Sequence, residues 1–155
     1  MGLFRRIFGG SDSGRGDIKP KRLDYLNEAL ALERQGDFEA AIVSYRLALR
    51  DHPTDPQILQ NLAIAFSRTG KQEEALRHYR RALDFDPNLP GAHYGLGFLH
   101  LRRGETDPAA RHLRAFLGNP PRGADGARWV EHAESALRDI EGAAPPQAAA
   151  GMEGA

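Results

Sequence analysis

Between about residue 23 and about residue 141, apolar side chains recur every three to four positions, the spacing of a buried helix face. Gly and Pro interrupt that rhythm at regular intervals. Gly36, Gly70 and Gly104 are 34 residues apart, and so are Ala41, Ala75 and Ala109, and Pro53, Pro87 and Pro121. Tyr45, Tyr79 and Leu113 follow in the same phase. Upstream in each unit stand Ala29, Ala63 and Gly97, then Leu32, Phe66 and His100, and before them Tyr25, Leu59 and His93. Seven columns in register across three units define an internal repeat.

Each unit predicts two helices. The first helix of the first unit runs from about Leu23 to Gln35, and Gly36 supplies the positive φ favoured just past a helix end. Asp37 caps the second helix, which runs to about Asp51, and Pro53 closes the unit because proline cannot continue a helix. Thr69-Gly70-Lys71 and Asp86-Pro87 repeat the pattern. In the third unit Gly104 breaks the chain, Asp107 is the expected cap and Pro108 the first helical residue. Small columns let two helix backbones approach, and large columns fill the space between them. A coiled coil is excluded, because its period is seven and uninterrupted by Gly and Pro.

These columns resemble the tetratricopeptide repeat (TPR) family, whose pattern is W-x2-L-G-x2-Y, A-x3-F and P on a 34-residue period. The first halves read Tyr25-x2-Glu28-Ala29-x2-Leu32, Leu59-x2-Leu62-Ala63-x2-Phe66 and His93-x2-Leu96-Gly97-x2-His100. The second halves read Ala41-x3-Tyr45, Ala75-x3-Tyr79 and Ala109-x3-Leu113. Glu28 departs where the family has Leu, and Phe116 stands where it has Ala, marking the edge where the array meets its cap. The resemblance implies an all-α, right-handed α-solenoid with units at about 22–55, 56–89 and 90–123. A helix over about 125–141, with Trp129, Ala133, Ala136, Leu137 and Ile140 on one face, reads as the C-terminal cap that repeat arrays need.

The resemblance also implies a concave surface made mainly by the first helix of each pair. Family geometry places Leu30, Ile64 and Phe98 in one groove column, Leu26, Gln60 and Tyr94 in a second, and Asn27, Asn61 and Gly95 in a third. Gln57 joins this surface, and Arg34, Arg68 and Arg102 lie at the ends of the same helices. Leu30, Ile64 and Phe98 fall outside the packing columns, so they read either as an exposed apolar strip for a partner or as partial core. The arginines read either as binders of partner carboxylates or as complements of the helix dipole. Asn61 matches one position of the family's carboxylate clamp. Leu26, Leu30, Gly91 and Gly95 occupy other clamp positions, so the cationic half is missing.

Composition narrows the chemistry. There are 155 residues and no cysteine, which excludes disulfides, cysteine nucleophiles and thiolate-held metals. No HExxH, P-loop or GxSxG motif occurs, so no catalytic residue, metal or cofactor is expected. His93 and His100 fall in packing columns and read as inter-helix histidines. Arg outnumbers Lys 18 to 3 and Ala reaches 23, which resembles the coding bias of a GC-rich bacterium. The net charge of zero argues against a whole-domain nucleic-acid binder. It is a cancellation. Residues 1–22 carry six Lys/Arg against two Asp, a net +4; residues 23–155 carry 15 against 19, a net −4.

Residues 1–22 read as a flexible basic arm, and 142–155 as a disordered Ala/Pro tail. On a short helix, Leu3, Phe4, Ile7 and Phe8 would share a face beside Arg5 and Arg6, a possible foot for a partner groove or an anionic membrane. The Arg pair lacks the apolar core of an export signal after it, and Arg6 disfavours acylation at Gly2. The sequence therefore predicts a cytoplasmic, non-enzymatic adaptor or scaffold that binds a peptide or helix of a protein partner, with an acidic partner one option. A membrane-associated assembly factor, at the inner face of the membrane and anchored by residues 1–10, and a self-associating scaffold are the alternatives.

Overall fold

The computed structural model describes residues 24–143, and the arm and tail lie outside the described residues. Seven helices follow one another among them, with no strand. They are α1 (Tyr25–Arg34), α2 (Phe38–Asp51), α3 (Pro56–Arg68), α4 (Gln72–Phe85), α5 (Pro90–Arg102), α6 (Thr106–Gly118) and α7 (Ala124–Ala143). The closest packing is within the pairs α1·α2, α3·α4 and α5·α6, and each pair stacks on the next. The result is an α-solenoid in which neighbours in sequence are neighbours in space.

Local chemistry sets the turns. Gly36, Gly70 and Gly104 have φ of 80°, 78° and 73°, conformations that side chains with a Cβ rarely adopt. The residue after each sends its N–H back to a carbonyl five positions earlier, so Asp37 bonds Leu32, Lys71 bonds Phe66 and Glu105 bonds His100. Asp24, Asp37 and Asp55 cap α1, α2 and α3 by accepting N–H groups of the first turn. In the third unit the expected cap is displaced. Glu105 holds the N-cap position without a side-chain bond, and Asp107 lies inside the first turn of α6. Glu105 instead accepts from Arg103 Nε at Oε1 and from His100 Nδ1 at Oε2, so both of its carboxylate oxygens are occupied.

The small columns are fully buried: Ala29, Ala63, Ala41, Ala75 and Ala109 have no exposed surface. Tyr45, Phe66, Leu59 and Leu62 fill the space around them. Burying a large apolar side chain contributes about 1.5–3 kcal/mol, so these positions dominate the fold's stability. Two clusters result. One runs continuously through α1 to α5; the other joins α6 to α7, with Tyr94, Phe98 and Leu101 of α5 against it. Phe116 sits at the centre of the second cluster, its ring edge-on to Tyr94 at 5.1 Å.

On α7 the buried face consists of Gly126, Ala133, Ala136 and Leu137, with Val130 and Ile140 half-covered. Trp129 departs from the expected stripe and remains 45% exposed. It lies less than two turns into α7, where its ring rests against Tyr94 at 5.7 Å and not under the helix. No helix among the described residues is long and apolar enough to cross a membrane.

Candidate functional site

The first helices of the three pairs present one face away from their partners. Two depressions open on it. The first, of about 430 Å³, is lined by Leu30, Glu33 and Arg34 of α1, Phe38 of α2, and Asn61, Ile64 and Arg68 of α3. The second, of about 450 Å³, is lined by Tyr94, Phe98, Leu101 and Arg102 of α5 and His132 of α7. Their floors are the Leu30/Ile64/Phe98 column, in which each side chain is half-buried. This column therefore both packs on the core and faces the opening, so its two sequence readings are compatible.

Arg34, Arg68 and Arg102 stand exposed at the rims. Arg68 lies over the Phe38 ring at 5.0 Å, which holds one guanidinium in place by cation–π attraction. Glu33 lies beside Arg34 in the same depression, and its Oε2 accepts from the buried Tyr45 hydroxyl at 2.5 Å. Burial, with the Glu33 carboxylate second, pushes the Tyr45 hydroxyl well above its usual range. Burial also raises the Tyr94 hydroxyl. Both hydroxyls therefore stay protonated and act as fixed hydrogen-bonding groups.

The remaining expected groove residues are placed differently. Leu26 is half-buried against the main cluster, while Asn27 and Gln57 are exposed. Asn27 Nδ2 donates to Asp24, so it is occupied in the cap of α1. Gln60 is half-buried, and its Oε1 is sealed from solvent without a hydrogen-bond partner. Gly95 holds the third-unit place in the Asn column, and the Tyr79 ring fills the space where its side chain would be. Leu3, Phe4, Arg5, Arg6, Ile7 and Phe8 lie outside the described residues.

The second depression contains residues that the sequence reading did not place in the groove. His132 stacks on Phe98 with ring centroids 4.2 Å apart, and its Nδ1 lies 2.6 Å from the Tyr94 hydroxyl. A signal for it exists. Continuing the 34-residue period into α7 aligns His132 with Leu30, Ile64 and Phe98, and Trp129 with Asn27, Asn61 and Gly95. The start of α7 thus takes the place of a fourth first helix and extends the surface. Glu33, Phe38 and Leu101 also line the depressions, from positions that the repeat pattern leaves unmarked.

The other histidines lie elsewhere. His93 Nε2 donates to the Pro87 carbonyl at 2.7 Å, which leaves its Nδ1 to accept from His112 Nδ1 at 3.1 Å. His100 stacks on His112 and bonds Glu105 at 2.6 Å. Burial, then the His93, His100, Arg111 and Arg80 charges, pulls His112 down to about 4, so it is neutral near pH 7. This is an inter-helix packing set, and no group of three His or carboxylate ligands able to hold a metal occurs among the described residues.

A tetratricopeptide repeat pattern matches residues 24–65, and a second TPR repeat pattern matches residues 67–104. No protein of curated function matches by sequence. In structure the chain is similar to the Yersinia enterocolitica type III secretion chaperone SycD in complex with a peptide of the translocator YopD. Identity is 16%, coverage is 76% of this chain and 89% of that one, and the TM-score is 0.70. It is also similar to the Sgt2 TPR domain of Aspergillus fumigatus, at 25% identity, 84% and 88% coverage and a TM-score of 0.63. A third similar structure is the first TPR of Spaghetti (RPAP3) bound to an HSP90 peptide, at 18% identity, 73% and 92% coverage and a TM-score of 0.63.

Proposed function

From the premise that this chain belongs to the tetratricopeptide repeat family, we propose that it is a non-enzymatic adaptor that holds a peptide or helix of a partner protein in its concave groove. The observation that carries this reading is the pair of apolar depressions on one side of the array, each rimmed by arginine. An apolar floor with few, fixed polar groups suits an amphipathic segment. Burial of the partner's apolar side chains supplies affinity, and the polar groups set its orientation. Leu30, Ile64 and Phe98 anchor the segment. Arg34, Arg68 and Arg102 favour carboxylates beside its anchors, so an acidic partner fits best. Asn61 and His132 supply the hydrogen-bonding contacts between.

The similar structures support this class of partner, since SycD is seen with a translocator peptide and the RPAP3 repeat domain with an HSP90 peptide. The clamp pattern of the sequence argues against a chaperone tail as the ligand. We place the work in the cytoplasm, within a multiprotein assembly. The test is a pull-down from native lysate with wild type and with Ile64→Glu plus Phe98→Glu. The double variant is expected to lose the wild-type partners while circular dichroism reports an intact fold. A folded double variant that retains the same partners refutes the groove.

A further inference from the structure

The opposite side of the array carries a second surface. On α2, α4 and α6 the buried residues include Ala41, Tyr45 and Ala48, then Ala75, Tyr79 and Ala82, then Ala109, Leu113 and Phe116. The exposed stripe between them is arginine-rich. Arg46, Arg80 and Arg114 recur at 34 residues, and Arg77 and Arg111 form a second column with Val43. Arg81 adds to the middle helix.

These guanidiniums form one field. Arg46, Arg77 and Arg81 all act on His78, and Arg80 and Arg111 both act on His112. The two histidines therefore tie the arginines of α2 to those of α4, and those of α4 to α6. Arg46 also lies over the Phe66 ring at 5.4 Å, and Arg81 donates to the Pro53 carbonyl at 3.0 Å.

Ion pairs neutralise only one arginine of this field. Arg114 pairs with Glu141 at 2.9 Å. Arg46, Arg77, Arg80, Arg81 and Arg111 form no ion pair among the described residues. Glu73, one turn before Arg77, is taken by Arg103, and Glu39 by Lys71 at 3.0 Å. Glu74 lies a turn before Arg77, Asp84 a turn beyond Arg80 and Arg81, and Asp107 a turn before Arg111, and these three carboxylates offset part of the charge without forming an ion pair among the described residues.

We propose that this outer face of α2, α4 and α6 docks on an anionic phospholipid surface through Arg46, Arg77, Arg80, Arg81 and Arg111. Arginine forks suit headgroup phosphates, which accept two parallel N–H bonds. The apolar side chains on these helices decide between anionic partners. Val43 is 58% exposed in the column of Arg77 and Arg111, and Phe85 is 46% exposed at the end of α4, one turn past Arg81. A protein interface buries an apolar centre within a charged rim, whereas here five exposed arginines stand with only two exposed large apolar side chains. A nucleic-acid backbone offers nothing to Val43 and Phe85, whereas the boundary between headgroups and acyl chains accepts both.

The test measures co-sedimentation with vesicles of phosphatidylcholine, with and without phosphatidylglycerol. It uses the full chain and a version lacking residues 1–10, which removes the separate contribution expected of the arm. Each arginine near an anionic leaflet raises partitioning roughly fivefold. The Arg77→Gln, Arg80→Gln, Arg111→Gln triple variant is therefore expected to bind on the order of 100-fold more weakly in both backgrounds. The matching Lys triple variant keeps most of the binding, and added salt weakens it. Thermal melts verify the fold of each variant. The proposal is overturned if the folded Gln variant binds like wild type, if neutral vesicles bind equally, or if removing residues 1–10 abolishes all binding. Tighter, arginine-dependent binding to a short DNA duplex also overturns it.

Discussion

Gly95 offers a sharp test of how the third unit is packed, because helix propensity and packing pull in opposite directions there. Replacing Gly by Ala inside a helix is ordinarily stabilising by about 1 kcal/mol. At Gly95 a Cβ would meet Cζ, Oη and Cε1 of Tyr79, all at or within 2.7 Å. Tyr79 is only 4% exposed, so its ring has nowhere to withdraw except into the core. The ring must retreat by about 1 Å, an overpacking whose cost is typically about 1–3 kcal/mol. Gly95→Ala is therefore expected to lose about 1 kcal/mol net, or roughly 4 °C in Tm for a unit of this size. Asn, the residue of this column in the first two units, costs more. Gly118→Ala is the control: it ends α6 with nothing within 4 Å of the added methyl, so it gains a few tenths of a kcal/mol. Urea titration followed by far-UV circular dichroism reads both. Gly95→Ala as stable as wild type, beside a stabilised Gly118→Ala, refutes the packing argument.

Three further outcomes follow from named contacts. His112 is held near 4 when folded, against about 6.5 unfolded, so the unfolded chain takes up the extra proton. Stability is full above about pH 6.5 and falls as the pH drops toward about 4; His112→Gln flattens that fall, and an unchanged urea-midpoint profile in the variant contradicts the assignment. Asp55 accepts the N–H of Gln57 at 2.8 Å and of Ile58 at 3.2 Å, so Asp55→Ala costs about 1 kcal/mol while Asp55→Asn keeps most of the cap. Gln60→Met removes a sealed, unpartnered oxygen and is expected to be neutral or stabilising by about 1 kcal/mol; a clear loss in Tm shows that the oxygen has a partner, such as a bound water.

The parts of this fold legible in the sequence are those with one physical solution. Only glycine suits the turn at Gly36, Gly70 and Gly104, and only small residues let α1 and α2, or α3 and α4, approach at Ala29, Ala41, Ala63 and Ala75. Caps were less legible because several residues near a turn can supply an oxygen. Asp37 is the cap it reads as, whereas Asp107 is bypassed once Glu105 is drawn to Arg103 and His100. The groove was half legible. The Leu30/Ile64/Phe98 column follows from the period, but Phe38 and Leu101 reach the depressions from positions that the repeat pattern leaves unmarked. His132 and Trp129 were hidden because Glu131 breaks the small-residue column that would mark α7 as a fourth first helix.

The departures of the third unit form one connected set. Gly95 and Gly97 on α5 make room for Tyr79 of α4 and Leu113 of α6, which reach into the space their side chains would fill. Phe116 then replaces the alanines that Ala48 and Ala82 supply in the earlier pairs, and its bulk points toward α7. Volume removed on one side of the unit is restored on the other, at the junction with the last helix. The core consequently divides into two clusters, and the two depressions rest on different ones. The first lies on the long cluster of α1 to α5, so its floor changes only if the main stack opens. The second is closed by His132 of α7, whose seating depends on Phe116, Leu137 and their neighbours. In a repeat array, stability is summed over nearest neighbours and a terminal element opens at lower cost than the middle. The surface thus pairs a firmly supported end with one whose second depression depends on the seating of α7, and a segment bound there as proposed, packed on His132 and Phe98, would also hold the end of the array closed.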